Sequence, residues 1–424
     1  MEYLKTLEYY QHLLNEEVLF LKKTGGKKYR IFSGEMIRCE DNIYYYQFEV
    51  DNEISLSEGM PIQILIKGNY YKANIINVEQ FKVNFACNCS LGNDIDGGYL
   101  ICDPWYLLEA LIDRLEECKL GNKYGLSEIL VEKGPGLENQ NNFVPGKEHL
   151  NEMIEKNKIT FIWGPPGTGK TTTLANLSIN FAKKGKKVLI VSQSNISVDE
   201  AILKICQLCN ENELLINGKF MRYGYVKNKK LEDNYYCNSY KYVIEKYPNL
   251  EKRLSAIDKE ISKLGKKDIL EDIKKLQNEK MEINKTIKNE QEKVINEAKV
   301  IATTISKATI EPMFYEQQFD IVIFDEASMA YIPQIIYASS LAKEKFICIG
   351  DLKQLSPIVQ GENSQELKKD IYHFLGMEKE DGTISHEWLV ILNEQFRSHS
   401  KISKFVNKRF YSGRINDTKL ENKV

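Results

Sequence analysis

The feature that most constrains this chain is Gly164-Pro165-Pro166-Gly167-Thr168-Gly169-Lys170-Thr171, which follows the apolar run Ile159-Thr160-Phe161-Ile162-Trp163. Its spacing is G-x-x-x-x-G-K-[ST], and a helical pattern begins near Lys170. Strand, glycine-rich turn and helix in that order let backbone N–H groups close around phosphate oxygens, with the positive end of the helix dipole behind them. Lys170 is expected to reach the β- and γ-phosphates of a nucleotide and the Thr171 hydroxyl to bind Mg2+, with Thr172 beside it. Further near-continuous apolar runs at Val188–Val191, Ile321–Phe324 and Phe346–Ile349 are separated by helical stretches. That alternation predicts a doubly wound α/β domain with a parallel sheet covered on both faces.

A second element supplies carboxylates. In Phe319-Asp320-Ile321-Val322-Ile323-Phe324-Asp325-Glu326-Ala327-Ser328 an apolar strand delivers Asp325 and Glu326 at its carboxyl end, expected beside the loop of the first strand. Asp325 is suited to hold Mg2+. Glu326 is suited to orient and deprotonate an attacking water, because phosphoryl transfer asks the protein mainly for positioning and charge neutralisation. A third element, Gly350-Asp351-Leu352-Lys353-Gln354-Leu355-Ser356-Pro357, follows another apolar strand.

Composition narrows the partners. With 58 Lys plus Arg against 60 Asp plus Glu, the chain has no global basic signature, so any nucleic acid must be held by a local stripe. Candidate clusters are Lys183-Lys184, Lys186-Lys187 and Lys227-Asn228-Lys229-Lys230, although short lysine runs read first as solvated surface. The amino terminus lacks a secretory pattern, and no run of about 18 apolar residues occurs, so a cytoplasmic protein without a membrane span is expected. Nine scattered cysteines then read as reduced thiols. Cys206 and Cys209 fall in a helical apolar pattern as core residues, and Cys87 and Cys89 are expected on one face of a strand; a zinc site has little to stand on.

At 424 residues, two to four structural units are expected. Residues 1–27 read as a helix ending at Gly25-Gly26, and 28–104 as a small all-β barrel or sandwich, with strand-like runs at Ile43–Val50, Pro61–Ile66, Tyr71–Ile76 and Phe81–Phe85. Residues 105–146 read as an amphipathic stalk helix, Trp105 to Cys118, and a Gly/Pro-containing linker. The α/β domain spans 147–390 and is interrupted by an insertion whose heptad-spaced residues, about 238–298, suggest an antiparallel coiled-coil hairpin. That hairpin reads as a structural arm, or as an arm that docks a protein partner or guides nucleic acid.

The ordered set Gly164 to Thr171, Asp325 to Ser328 and Gly350 to Pro357 resembles superfamily 1 helicases, specifically the branch of the nonsense-mediated-decay and immunoglobulin-mu-binding helicases. That family pairs G-P-P-G-T-G-K-T with D-E-A-S and G-D-x-x-Q-L-x-P. Further matches are Ser192-Gln193-Ser194-Asn195-Ile196-Ser197-Val198-Asp199, Ala302-Thr303-Thr304, and Leu392-Asn393-Glu394-Gln395-Phe396-Arg397-Ser398-His399 with Phe410-Tyr411-Ser412-Gly413 after it.

The resemblance implies a P-loop RecA-like ATPase domain that uses ATP and Mg2+ to move along single-stranded DNA or RNA, 5′ to 3′. It also implies roles. Gln354 would sense the γ-phosphate, Phe396 would stack near the adenine, and Arg397 would approach the γ-phosphate from a second motor domain. Ser194, Asn195, Thr303 and Thr304 would touch the backbone of a single strand, although Thr303 and Thr304 also read as ordinary polar residues at a strand end. The family's barrel and stalk resemble residues 28–104 and the helix that follows.

Two departures stand out. Where the family carries L-N-x-x-Q ahead of the phosphate loop, this chain has Phe143-Val144-Pro145-Gly146-Lys147. The chain also stops at Val424, so residues 391–424 are expected to be the incomplete start of a second RecA-like domain, and the chain alone is expected to bind nucleotide but hydrolyse it poorly. Two other readings remain open: a nucleotide-switched binding protein acting through the coiled-coil arm, and a degenerate helicase fragment.

Overall fold

In the computed structural model of the chain, the described residues are 2–24, 27–40, 43–51, 56, 61–79, 81–87, 89–102, 105–121, 125–132, 144–209, 219–224, 226, 228–232, 234, 236–263, 270–379 and 384–417. The expected helix end at Gly25-Gly26, the linker around Gly134-Pro135-Gly136, the hairpin turn at 265–268 and the carboxyl end at Val424 lie outside them. Contacts group the chain into two units: 1–14, 110–245 and 291–424 form one, and 15–109 with 246–290 form the other.

The second unit holds a closed barrel of β1 (Lys27–Glu40), β2 (Ile43–Val50), β3 (Pro61–Ile66), β4 (Asn69–Glu79), β5 (Lys82–Cys87) and β6 (Asp94–Cys102), in the order β1-β2-β5-β4-β3-β6. Strand alternation explains its core: Tyr46, Phe48, Ile62, Ile64, Val83, Phe85 and Leu100 face inward, with Phe48 stacked on Phe85. Two of its strands, β1 and β6, have mixed polar texture and carry no run singled out from the sequence. Cys87 is buried at the end of β5, but Cys89 lies beyond it and is exposed, so the two do not share a strand face as expected. The same unit holds the helix Pro248–Lys263 and most of the helix Leu270–Glu297, joined where Arg253 donates Nε–H and Nη2–H to the Glu279 carboxylate at 2.6 and 2.7 Å.

The first unit is built on a seven-stranded sheet in the order β13-β7-β12-β11-β8-β10-β9. Its strands are β7 (Ile159–Trp163), β8 (Val188–Ser192), β9 (Phe220–Arg222), β10 (Val300–Thr304), β11 (Phe319–Asp325), β12 (Ala342–Gly350) and β13 (Leu389–Ile391), all parallel. Every residue of β7, β8 and β10 is buried, which requires cover on both faces. Helices α5 (Lys170–Lys183) and α6 (Asn195–Leu208) supply one cover: Leu174, Leu177, Val198, Ile202 and Ile205 pack with Ile162, Ile190, Ala302 and Ile323.

Register places the carboxyl ends of the strands level, with Trp163 opposite Gly350 and Ile391, Ile349 opposite Asp325, and Asp325 opposite Ser192. β12 lies between β7 and β11 in the sheet. The expectation that the cysteines are all reduced thiols is corrected. Cys206 on α6 is paired as a disulfide with Cys237, 31 residues away, a partnership that no local spacing could signal.

Candidate nucleotide site

The phosphate loop leaves β7 at Gly164, whose N–H donates to the Gly350 carbonyl at 2.8 Å. Gly167 and Gly169 have φ of +80° and +85°, values that glycine adopts without strain. Those turns let α5 begin directly at Lys170, with Thr173 N–H bonded to the Gly169 carbonyl at 2.9 Å. Within the loop the Thr168 hydroxyl donates to the Pro165 carbonyl at 2.7 Å, fixing its shape. Lys170 Nζ donates to the Gly164 carbonyl at 3.0 Å, so the ammonium is folded over the mouth of the loop. Thr171 and Thr172 are half-buried at the same end of the helix.

Across the intervening β12, Asp325 ends β11 and is buried. Burial first, then the charge of Glu326, pushes its carboxyl up to about 7, while Lys170 pulls it back. Glu326 follows with a left-handed backbone, φ 55° and ψ 45°, an uncommon conformation for a residue with a side chain. Around these two carboxylates, Asp325 Oδ1, Glu326 Oε2, Ser192 Oγ, Ser328 Oγ and Tyr372 Oη are buried polar atoms without a hydrogen-bond partner. Buried polar atoms are ordinarily paired, so a cluster of unpaired ones marks a place built to receive a polar ligand. Tyr372 Oη lies 2.6 Å from where a Cβ on Gly350 would stand, so a side chain there would have to displace the buried Tyr372 hydroxyl.

Asp325, Thr171 and the orphaned oxygens fit a hydrated Mg2+ that travels with nucleotide phosphates, since such an ion takes one or two carboxylates and keeps waters. Among the described residues no group of three or more His, Cys, Asp or Glu side chains could hold a metal ion by itself. Cys206 and Cys209 are both buried in the core under the sheet, Cys206 in the disulfide.

The segment after β13 reaches back onto the loop. Phe396 N–H donates to the Gly167 carbonyl at 2.9 Å, and a Cβ on Gly167 would stand 2.8 Å from Arg397 Cβ. Buried Gln395 shapes this turn: its Oε1 accepts from the backbone N–H groups of Arg397 and Ser398, and its Nε2 donates to the Ser398 carbonyl at 2.8 Å. Phe396 is exposed, with Lys147 Nζ 5.4 Å from its ring centre and bonded to Glu394 at 3.2 Å. Lys147, the last residue of the segment that departs from the family's adenine-reading pattern, therefore sits beside Phe396. Gln354 is exposed on the loop after β12, its N–H donating to the Asp351 carbonyl at 3.1 Å.

The residues expected to touch a nucleic-acid strand are placed differently. Ser194 is exposed and caps α6 by accepting from Ser197 N–H at 3.1 Å. Asn195 is half-buried, its Oδ1 accepting from Arg222 Nη2 at 2.7 Å. Thr303 is fully buried and donates to the Tyr223 carbonyl at 3.1 Å. Thr304 is 7% exposed, its hydroxyl accepting from Lys307 N–H to cap the next helix. Both threonine side chains thus make a hydrogen bond inside the fold.

Residues that the sequence did not single out also meet here. Fully buried Asp351 accepts from Trp163 Nε1–H at 3.0 Å and from the Tyr411 hydroxyl at 2.7 Å. Fully buried Arg222 donates to Asp199 Oδ1 at 2.8 Å, with its pKa pulled down by burial and supported by that carboxylate. A polar residue directly after a buried strand was the available signal for Asp351. Arg222 had none, and Gln395 lies within the run Leu392 to His399, whose spacing does not show which backbone groups its side chain meets.

Residues 144–362 match the family described as AAA domain. Among curated proteins, the chain is 28% identical over 341 residues to the DNA polymerase alpha-associated DNA helicase A of Saccharomyces cerevisiae, covering 73% of this chain and 48% of that protein. It is 26% identical over 273 residues to the DNA replication ATP-dependent helicase/nuclease DNA2 of Gallus gallus (64% and 22% covered). It is 23% identical over 379 residues to helicase sen1 of Schizosaccharomyces pombe (74% and 22% covered). The chain thus spans half or less of the length of these relatives.

Proposed function

Because the chain belongs to the AAA domain family, on its superfamily 1 helicase branch, we propose that it is the nucleotide-binding part of an ATP-dependent helicase or translocase acting on single-stranded DNA or RNA in the 5′ to 3′ direction. The observation that carries this reading is the unpaired polar cluster around Asp325 and Glu326, at the same edge of the sheet as a phosphate loop to which Phe396 is already bonded.

ATP bound with Mg2+ supplies the phosphoanhydride and the cation that neutralises its charge. The chain's own residues do the rest. Lys170 exchanges the Gly164 carbonyl for phosphate oxygens, and the loop's N–H groups and Gly164 to Thr172 cradle them. Thr171 and Asp325 hold the metal; Glu326, held in its left-handed turn, positions a water and takes its proton. Gln354 and Arg397 read the terminal phosphate, and Phe396 offers a face to the base. Ser194 and Asn195 on the opening turn of α6 form the strand contact, directed to backbone, which carries little sequence preference.

The helices Pro248–Lys263 and Leu270–Glu297 are read as a coiled-coil hairpin able to dock a protein partner, and the compartment as cytoplasmic; no described helix is long and apolar enough to cross a membrane. The test is ATP hydrolysis by the chain, alone and joined to any downstream segment, with and without single-stranded DNA or RNA. Stimulation by a strand is expected. No stimulation by either polymer would remove the helicase reading and favour a nucleotide-switched binding protein.

A further inference from the structure

The fully buried Asp351 carboxylate touches no expected ligand, yet it sits where three chain segments converge. On one side is the strand that launches the phosphate loop. Trp163, immediately before Gly164, donates its indole N–H to Asp351 Oδ1 at 3.0 Å, and its carbonyl accepts from Leu392 N–H at 2.8 Å. On the second side is the loop of Gln354, whose start is fixed by Lys353 N–H on the same Oδ1 at 3.1 Å. On the third is the segment bearing Arg397. Its helix, Ser400–Phe410, is closed by Tyr411, and the Tyr411 hydroxyl donates to Asp351 Oδ2 at 2.7 Å. Tyr411 is itself buried, packs 6.1 Å from the Trp163 ring, and has its pKa raised by burial and by that carboxylate.

We infer that Asp351 is a positioning residue that relays occupancy of the phosphate loop, through Trp163 and Tyr411, to the segment carrying Arg397. A displacement of Gly164 moves Trp163 and Gly350 together, because the Gly164 N–H is bonded to the Gly350 carbonyl one residue before Asp351. The carboxylate must keep its donors, since a charged oxygen left buried without one is strongly disfavoured. Its two oxygens face opposite elements, so a shift on the Trp163 side is passed to Tyr411 and not absorbed by water. Phe396 and Arg397 precede that helix and are tied to the loop by the Phe396 N–H bond to the Gly167 carbonyl. The Tyr411 hydroxyl on Asp351 anchors the other end of the helix.

This inference rests on the nucleotide reading of the loop, and the experiment separates the two. Hydrogen exchange of the full chain is followed by mass spectrometry with and without a non-hydrolysable ATP analogue plus Mg2+, for wild type and for Tyr411→Phe, which keeps the ring and removes the donated proton. In wild type, nucleotide is expected to slow exchange in residues 395–411. In Tyr411→Phe, the analogue is expected to bind within about 3-fold of wild type while that slowing is lost, as for two sites whose coupling alone is broken. Asp351→Asn, nearly the same shape, is expected to do the same, and the double variant no more than either single one. The indole N–H resonance of Trp163, identified by its absence in Trp163→Phe, is expected to move on nucleotide addition in wild type. A Tyr411→Phe response equal to wild type overturns the relay, as does faster exchange by the same factor with and without nucleotide, the mark of a merely structural hydroxyl. Failure of wild type to bind the analogue overturns the nucleotide reading as well.

Discussion

The two halves of the sheet's carboxyl edge treat polar groups in opposite ways. Around β7, β12 and β11, buried oxygens of Asp325, Glu326, Ser328 and Tyr372 have no partner, and Lys170 leans on a backbone carbonyl. Around β10 and β9, the polar groups are spent on one another: Arg222 on Asp199 and Asn195, Thr303 on Tyr223, Thr304 on Lys307. Apart from Asp351, whose carboxylate accepts from Trp163 and Tyr411, the first half leaves these buried oxygens open to a polar ligand. The second half has the chemistry of a rigid support. Unpaired buried groups lower stability, and folds retain them where a ligand completes them.

The largest expected effect strikes the satisfied half. Arg222→Leu leaves Asp199 buried without its counterion, and chemical denaturation should report a loss of about 3–5 kcal/mol. Replacing both residues by apolar ones should recover most of that loss. A small effect of the single change would mean that this half is not held by its buried pair.

Next comes the open half. Glu326→Gln should leave ATP affinity within about 3-fold while lowering strand-stimulated hydrolysis on the order of 100-fold, the usual scale for a lost general base. Equal losses in binding and turnover would assign Glu326 to support.

Asp325→Asn sharpens the contrast through pH. The folded carboxyl is raised to about 7 against an ordinary 3.8, so the unfolded state releases its proton first and stability drains away as pH climbs between those values. The asparagine variant, free of nucleotide, should therefore gain over wild type as pH rises from about 4 to about 7 and hold a level advantage above that. An advantage confined to low pH would contradict the assigned direction.

The smallest effect tests Thr303. Thr303→Val removes the proton given to Tyr223 and should lower stability by about 0.5–1.5 kcal/mol, with single-strand affinity unchanged. Weaker strand binding at unchanged stability would return Thr303 to the nucleic-acid contacts.

How far the sequence reached follows from the same contrast. Lys170, Thr171, Asp325 and Glu326 lie in short runs whose chemistry is set by immediate neighbours, strand before and helix or turn after, so spacing alone carried them. The strands β2 and β3 were legible to the residue because apolar alternation is a local property. Asp351 finds Trp163 188 residues away and Tyr411 60 residues away, and Arg222 meets Asp199 across 23, so nothing in their own surroundings in sequence marks these partners. The register that sets β12 between β7 and β11, and the pairing of Cys206 with Cys237, are likewise decided by the packed sheet. Thr303 illustrates the reverse: its motif was legible, while the bond its buried hydroxyl makes inside the fold was not.

The most direct test of the account is a calorimetric titration of ATP into the full chain, with Mg2+ and with chelator, for wild type and Lys170→Ala. One site per chain that depends on Mg2+ and weakens on the order of 100-fold or more in Lys170→Ala, as expected for lost charge-assisted bonds, with the melting temperature little changed, is the predicted result. Binding of equal strength in Lys170→Ala, or none in wild type, would contradict it.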